Sequence, residues 1–336
     1  MVTYWTDKNV SLLGGASLIG THLARALTRA GAEVRIADDL SSGLYSNIPY
    51  GAEFKRMDLR NFAAAKMAVH DADIVFHLAA QHGGRGYVAG HKVELYDNLS
   101  LDTNIFRACA EEKVEKVIFS SSACAYPIGI QNNTDELLFL HEELIDYDNL
   151  QPADGAYGTE KLVGEAMLDA YIEAGAFKGC STRSFTVYGP LMKENHAIAA
   201  LIAKVLIRQE PLEIWGDGKQ IRNWTFVDDN VAGAMLAAEH LERGAINIGV
   251  EDRLTPLEAL GDICDIMKWH PKEVKLMPDK PVGPRNRVAN SGKLTELGWR
   301  PQVSFEEGLK RTIDWYLEMH DVEEVKEGFE RKLTER

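Results

Sequence analysis

The feature that most constrains the fold is a glycine-containing turn between a short apolar strand and an amphipathic helix. Residues 9–13 read as the strand, residues 14–20 hold three glycines, and the helical apolar spacing that follows is closed by Gly31. Strand, glycine turn and helix in this order let the backbone approach a pyrophosphate, which lies at the helix N-terminus. The pattern therefore predicts a dinucleotide-binding unit at the start of the chain.

The glycine turn departs from the usual spacing, because Ser17 stands where a middle glycine would complete it. Serine can donate to a phosphate from a helix N-cap, but a left-handed backbone there would be strained. The next strand, residues 33–37, ends in Asp38 and Asp39. An acid about 20 residues after such a turn accepts hydrogen bonds from the ribose hydroxyls and favours NAD over NADP. A solvated acidic turn is the alternative; Asp38 is the preferred ligand because it follows the strand directly.

Further strand and helix segments repeat this rhythm. Residues 53–57, 73–77 and 116–119 read as strands, and residues 98–112 form an amphipathic helix. Such alternation predicts an α/β fold with a doubly wound parallel sheet (Rossmann) and a smaller C-terminal α/β substrate-binding domain. We place the NAD-binding domain at 1–183 with a returning segment at about 228–250, and the second domain at 184–227 and 251–336. The expected contacts to NAD are Gly14, Ala16, Ser17, Leu18, Ile19, Gly20, Asp38, Asp58, Leu59, Leu78, Ala79, Ala80, Tyr157 and Lys161.

Charge and composition exclude several function classes. The net charge of −14 argues against nucleic acid or an anionic lipid surface as a partner. No apolar run approaches the ~20 residues of a membrane span, and the first residues do not read as a signal peptide. The four cysteines are scattered without a Cys-x-x-Cys pair, which argues against a zinc site or a disulfide framework. We expect a cytoplasmic protein without a bound metal.

The chemistry is predicted to centre on the stretch 119–127, where an apolar strand ends. Ser122 and Cys124 are two residues apart on this strand end, so they point to the same side of the chain. Ligands of open α/β sheets bind at the carboxyl ends of strands. The alternative is that Ser122 caps the next turn and Cys124 is a small buried apolar residue.

Tyr157 and Lys161 form a second candidate pair on a long helix that continues through Tyr171. They are four residues apart, so they share one helix face. A phenol with an ordinary pKa of about 10 is a poor base at neutral pH. A lysine ammonium and a nicotinamide cation beside it would favour the phenolate, so Tyr157 is a candidate catalytic base.

These motifs together resemble the extended short-chain dehydrogenase/reductases that remodel nucleotide sugars. Residues 183–190, 215–229 and 297–301 strengthen the resemblance, which covers nearly the whole chain. It implies that NAD oxidises the sugar C4 hydroxyl while Tyr157 takes its proton and Ser122 binds the same oxygen. It also implies a homodimer, and a diphosphate site built from Arg222 together with Arg285 or Arg287. Thr186 replaces the asparagine usual in the family, so that contact is not expected.

The strand end distinguishes reactions within this family. Family dehydratases carry adjacent Asp and Glu where this chain has Ala123 and Cys124, so elimination of water is disfavoured. The end is similar to that of GDP-mannose 3,5-epimerases and GDP-fucose synthases, whose cysteine acts as an acid/base. Residues 78–86 resemble the loop that lines their sugar pocket, which implies substrate contacts from Gly83, Gly84 and Arg85.

Epimerisation needs an acid and a base on opposite faces of the sugar, and the relatives have a lysine or a histidine after the segment ending in Pro190. Register places His196 there, with Asn195 beside it and Lys193 as the reserve candidate. Imidazole with its ordinary pKa of about 6.5 suits proton exchange at neutral pH; a histidine in the first turn of a surface helix is the alternative.

The expected reaction is redox-neutral epimerisation of a nucleotide sugar at C3 and/or C5, with a GDP-hexose such as GDP-mannose as substrate. Three alternatives stay open at this point: an NDP-sugar 4-epimerase, an NADPH-dependent reductive epimerase, and an NAD-binding regulatory protein without turnover.

Overall fold

The computed structural model describes residues 3–133 and 137–333. Strands and helices alternate along the described chain, as the sequence predicts. The strands are β1 (Asn9–Leu13), β2 (Glu33–Asp38), β3 (Glu53–Arg56), β4 (Ile74–His77), β5 (Lys116–Ser122), β6 (Phe139–Leu140), β7 (Lys178–Ser184), β8 (Val187–Tyr188), β9 (Leu212–Trp215), β10 (Ile221–Arg222), β11 (Thr225–Phe226), β12 (Ala245–Ile248), β13 (Val274–Met277) and β14 (Asn286–Ala289).

The helices cover the large sheet and build the second half of the chain. They are α1 (Leu18–Arg29), α2 (Phe62–Val69), α3 (Arg85–Gly90), α4 (Lys92–Tyr96), α5 (Asn98–Glu112), α6 (Ile128–Gln131), α7 (Gly155–Glu173), α8 (Ala197–Leu206), α9 (Val227–His240), α10 (Pro256–Met267), α11 (Gly292–Glu296), α12 (Phe305–Met319) and α13 (Val322–Lys332). Short 3₁₀ turns lie at Tyr45–Asn47, Ala123–Ala125 and Glu142–Leu144.

The main sheet has seven parallel strands in the order β12-β7-β5-β4-β1-β2-β3. The prediction of a doubly wound parallel sheet is therefore confirmed. The chain leaves β1 toward one edge of the sheet and returns at β4 toward the other. Such a reversal opens a crevice at the carboxyl ends of the central strands, where ligands of this fold class bind.

Neighbouring residues of the central strands feed two separate cores, one on each face of the sheet. Leu12 and Phe76 belong to the core under α1 and α9, whereas Leu13, Val75 and Phe119 belong to the core under α2, α5 and α7. Strands buried on both faces read as continuous apolar runs, which is why the sequence shows no polar alternation here.

Smaller sheets carry the rest of the chain: β10-β14-β6, β11-β8 and β13-β9. β12 returns to the main sheet beside β7, and α9 packs on α1. The division into two domains at the residues given above stays a prediction. No helix in the described ranges is long and apolar enough to cross a membrane.

A buried ion pair fixes the junction of β5, β7 and α7. Arg183 and Glu165 have side-chain exposures of 1% and 0%, and Arg183 Nη2 lies 2.7 Å from Glu165 Oε2. Arg183 Nη1 also donates to the Tyr126 hydroxyl and to the Glu142 carbonyl, and Glu165 accepts from Ser121 at the strand end. The pair therefore anchors the strand end that carries Ser122.

We expect Arg183→Leu to lower the free energy of unfolding by about 3–5 kcal/mol, because it leaves the Glu165 carboxylate buried without its cation. Arg243→Leu is the matched control: Arg243 pairs with Asp169 and Glu173 at the surface, where loss costs at most about 1 kcal/mol. Urea unfolding at one protein concentration measures both. Equal destabilisation by the two variants would contradict the anchoring role.

Candidate active site

A cavity of about 900 Å³ lies at the carboxyl ends of the central strands, and a smaller one adjoins it beside β2. The predicted residues in the wall of the large cavity are Ser17, Leu18, Ile19, Gly20, Leu78, Ala80, Gly83, Gly84, Arg85, Ser122, Cys124, Tyr157, Lys161, Lys193, Asn195, His196, Arg222 and Arg287. The predicted residues in the wall of the small cavity are Gly14, Ser17, Asp38, Asp58, Leu59, Leu78, Ala79 and Ala80.

The glycine turn is shaped by close backbone approaches. Gly14 has a φ of +83°, and a Cβ there would lie 2.6 Å from the backbone of Ala79. A Cβ at Gly20 would lie 2.5 Å from Gly15. Ser17 has a φ of −117°, extended backbone that any residue adopts, so the missing middle glycine causes no strain. The departure from the usual spacing is therefore compatible with the fold of this turn.

Asp38 lies at the end of β2 and is held by two backbone amides. Its Oδ2 accepts from Ala16 N at 3.0 Å, and its Oδ1 accepts from Leu40 N at 2.8 Å. The structure thus differs from the prediction for Ala16, which is fully buried, lines neither cavity and uses its amide to orient Asp38.

The glycine cradle, the fixed Asp38 carboxylate and the two adjoining cavities fit an NAD molecule. The contact of Asp38 with the ribose hydroxyls stays a prediction. Among the described residues, no group of three His, Cys, Asp or Glu side chains could hold a metal ion.

Tyr157 and Lys161 lie on one face of α7 beside the strand end. The Lys161 ammonium is 5.8 Å from the centre of the Tyr157 ring, and Ser122 hydrogen-bonds the phenol. Burial raises the pKa of Tyr157 above its ordinary value, and Lys161 and Ser122 oppose that rise. The Ser122 hydroxyl also accepts from Cys124 N at 3.1 Å, so it caps the 3₁₀ turn as well as facing the cavity.

Cys124 is partly exposed in the cavity wall, and its thiol has a cationic neighbour. Arg287 Nη1 lies 3.1 Å from Cys124 Sγ, while Arg287 Nη2 lies 2.6 Å from Asp154 Oδ2. Arg85 binds both oxygens of the same carboxylate, at 3.0 and 2.6 Å. Burial acts to raise the pKa of Asp154, but the two guanidiniums hold it well below its ordinary value. A single carboxylate therefore joins two arginines beside the thiol.

Asp154 was not among the predicted site residues. The sequence signal for it is an acid three residues before Tyr157, at the start of α7. Nothing in the spacing shows that β14 brings an arginine to the same point.

The predicted diphosphate arginines have different environments. Arg222 lies in the cavity wall and donates to the carbonyls of Ile221 and Val282. Burial, with Arg287 and Arg85 nearby, lowers the pKa of Arg222 to about 9. Arg285 does not line the cavity; it is partly exposed and pairs with Asp217 at 2.6 Å. Arg287 is the member of that stretch that reaches the cavity, and a substrate contact from Arg285 stays a prediction.

His196 precedes α8 and lies where two loops meet. A Cβ at Gly84 would overlap the carbonyl oxygen of Asn195, so the two loops touch there, and the His196 and His82 ring centres are 6.0 Å apart. Burial, followed by the charge of Lys193, lowers the pKa of His196 to about 4, not the ordinary value that we expected. The imidazole is therefore neutral at pH 7. Lys193 Nζ donates to Ser42 Oγ at 3.1 Å, on the side of the cofactor cavity.

A family model described as the NAD dependent epimerase/dehydratase family matches residues 10–249. The chain belongs to this family. The resemblance to the extended short-chain dehydrogenase/reductases is confirmed, and the chain is an NAD-dependent enzyme of the isomerase class.

Three relatives illustrate the range of the family. The chain is 29% identical to GDP-mannose 3,5-epimerase of Arabidopsis thaliana, over 96% of this chain and 86% of the relative. It is 30% identical to UDP-N-acetyl-alpha-D-glucosaminuronate decarboxylase of Bacillus cytotoxicus, over 94% and 99%. The crystal structure of Thermus thermophilus UDP-glucose 4-epimerase with NAD superposes with a TM-score of 0.82 at 28% identity, covering 93% of this chain and all of that one.

We expect Gly14→Ala to weaken NAD binding about tenfold or more, equivalent to about 1.4 kcal/mol, because the new Cβ meets the Ala79 backbone in the cofactor cradle. Gly175→Ala is the control: it has a similar φ of +72° but no atom within 4 Å of its Cβ, so it carries the left-handed strain alone. Calorimetric titration with NAD compares the two. Unchanged affinity in Gly14→Ala would show that the turn does not hold the cofactor.

Proposed function

We propose that this chain is an NAD-dependent nucleotide-sugar epimerase that oxidises C4 transiently, inverts C3 and/or C5, and restores the C4 hydroxyl. The proposed substrate is a GDP-hexose such as GDP-mannose. The observation that carries the proposal is the position of Cys124, whose thiol faces the same cavity as Ser122 and Tyr157 and receives a hydrogen bond from Arg287.

The charges of the cavity support a nucleoside diphosphate as the anionic part of the substrate. Arg85, Arg222 and Arg287 lie in its wall, and Asp154 is the carboxylate that pairs with two of them. A guanidinium binds phosphate oxygens through two parallel hydrogen bonds, which favours arginine at such a site. The similarity to a GDP-mannose 3,5-epimerase along 96% of the chain supports a GDP-sugar.

The first step places a proton on Tyr157. Bound NAD would supply reversible oxidation at the sugar C4 carbon. Tyr157 accepts the hydroxyl proton, Ser122 holds the same oxygen, and Lys161 stabilises the phenolate before the proton arrives. When C4 is reduced again, the proton returns from Tyr157 to the sugar oxygen.

The second step uses Cys124 and His196. A C4 ketone makes the hydrogens on C3 and C5 acidic. The neutral His196 imidazole accepts the proton from one face of the carbon, and the Cys124 thiol donates its own to the opposite face. Arg287 stabilises the thiolate that forms, and a proton passing from the imidazolium back to the thiolate resets the pair. Asn195, Gly83 and Gly84 are assigned to the sugar pocket.

A 4-epimerase is the second candidate, favoured by the structural similarity to a UDP-glucose 4-epimerase. It would use Ser122, Tyr157 and Lys161 but needs no thiol. Turnover in deuterated water distinguishes the two, because ring deuterium at C3 or C5 requires the second step. The screen should include GDP-, UDP-, dTDP- and CDP-sugars. Net oxidation of NADPH would indicate a reductive epimerase; Asp38 favours NAD instead.

The homodimer and the cytoplasmic location stay predictions. Light scattering on the protein as it elutes from a size-exclusion column measures its molar mass. A monomer at all concentrations would contradict the predicted homodimer.

We expect Cys124→Ser to abolish inversion at C3 and C5, because a hydroxyl is a far weaker acid than a thiol. Oxidation at C4 should persist and appear as transient NADH absorbance. Cys264→Ala is the control, since that thiol lies in the core on α10, outside the cavity. Equal loss of oxidation and inversion in Cys124→Ser would contradict the separate roles of Tyr157 and Cys124.

We expect His196→Gln to reduce deuterium uptake by about 10²-fold or more, in the range typical of a lost general base. Lys193→Met should leave uptake within a few-fold, since its ammonium faces Ser42. The reverse pattern would make Lys193 the partner of Cys124.

A further inference from the structure

A cluster of ionisable side chains lies in the interior beside Tyr157. It contains His77 from the end of β4, Asp102 from α5, and Glu160 and Lys161 from α7. His77, Asp102 and Glu160 are each 0% exposed, and Lys161 is 2% exposed. Charged groups at such depth are costly unless they are paired, so each needs a partner.

The two carboxyl groups of this cluster contact each other, and a proton is needed between them. His77 Nε2 lies 2.8 Å from Asp102 Oδ1, and Lys161 Nζ lies 3.3 Å from Glu160 Oε1. The Asp102 and Glu160 carboxyls are within hydrogen-bond contact of each other. Beyond these contacts, Asp102 Oδ2 and both Glu160 oxygens are buried without a hydrogen-bond donor in the described part of the chain. Two ionised carboxylates cannot donate to each other; a proton held between them supplies the missing donor.

The packing shows that this space is built for a carboxyl group. Gly164 lies one turn after Glu160 on α7, and a Cβ there would be 2.8 Å from Asp102 Oδ2 and 2.6 Å from the Phe119 ring. Glycine therefore leaves room for Asp102 against the helix that carries Tyr157. Phe119, from β5, lies under the Lys161 ammonium at 4.7 Å from its ring centre and closes the cluster on that side.

We propose that Asp102 and Glu160 share a single proton and act as a positioning pair, which holds Lys161 charged against Tyr157 and sets the ionisation of that phenol. The link to catalysis rests on the proposed role of Tyr157; the shared proton itself does not.

The net charge of Asp102, Glu160 and Lys161 determines in which direction the cluster shifts the ionisation of Tyr157. Burial raises the pKa of Asp102 to about 6 and that of Glu160 to about 7, and burial lowers the pKa of His77 to about 3. With one proton shared, the pair carries one negative charge and cancels Lys161. At alkaline pH the second carboxyl ionises, and a net negative charge then lies beside the Tyr157 ring and opposes the phenolate. Cys124 is a further ionisable group that acts on Tyr157.

Infrared spectroscopy of the NAD-loaded protein tests the shared proton without turnover. Wild-type protein at neutral pH should show the carbonyl band of a buried protonated carboxylic acid. Glu160→Gln and Asp102→Asn should each remove it, because the remaining acid then ionises opposite Lys161. Glu173→Gln, at the exposed end of α7, should retain it. A wild type without the band, or a band that survives both substitutions, would overturn the proposal.

Ultraviolet titration of tyrosinate, taken as the difference from Tyr157→Phe, tests the positioning role. In Glu160→Gln and in Asp102→Asn the midpoint for Tyr157 should move down by about one pH unit or more, because no second negative charge develops beside the ring. Leu168→Ala loosens the buried side of α7 without changing its charge and should leave the midpoint in place. An unchanged midpoint in both acid variants, or an equal shift in Leu168→Ala, would show a structural role only. These outcomes are independent of sugar turnover, so a failure here is distinguishable from a failure of the proposed epimerisation.

Discussion

The geometry around the thiol depends on the Asp154 carboxylate, which holds two guanidiniums that would otherwise repel each other. Arg85 is the first residue of α3, Arg287 comes from β14, and Asp154 precedes the helix that carries Tyr157. Like charges in a partly buried site are costly without a counter-ion, because the low effective dielectric screens them poorly. Asp154 neutralises one of the two, so the cavity keeps a positive charge for an anion while Arg287 stays aimed at Cys124.

The site is assembled from two parts of the chain with different tasks. The parallel sheet places the glycine turn, Asp38 and the end of β5 along one edge. The second half of the chain supplies Arg222, Arg287 and the loop before α8. The two parts meet where Gly84 touches the Asn195 carbonyl, a contact that any side chain at position 84 would prevent. The identity of a single glycine thus controls how closely His196 approaches the sheet edge.

Much of the fold could be predicted from the sequence, because helices and strands are indicated by residues that are close together in the chain. The strand 9–13 and the helix 98–112 match β1 and α5 residue for residue, since apolar periodicity and flanking turn residues define both. Asp38 and Tyr157 could be predicted because each has a fixed spacing from a local motif.

The parts that could not be predicted are those that depend on long-range burial. The neutral state of His196 follows from the loops that cover it, and the role of Asp154 follows from an arginine more than a hundred residues away. Arg285 and Arg287 look equivalent in sequence, yet one pairs with Asp217 at the surface and the other reaches the thiol. The partners of a side chain across the fold, which spacing does not encode, decide these outcomes.

Buried histidines and buried carboxylic acids act on stability in opposite directions as pH changes. The pKa values of His196 and His77 are lowered to about 4 and about 3, so the unfolded chain binds protons that the folded chain does not, and stability falls as pH drops below about 6.5. The pKa values of Asp102 and Glu160 are raised to about 6 and about 7, so the folded chain retains protons, and stability falls as pH rises from about 4 through those values. The change of stability with pH that the histidines cause therefore opposes the change that the two acids cause across the mildly acidic range. The same burial that keeps His196 neutral and raises the pKa values of the interior acids therefore ties these protonation states to the folded state.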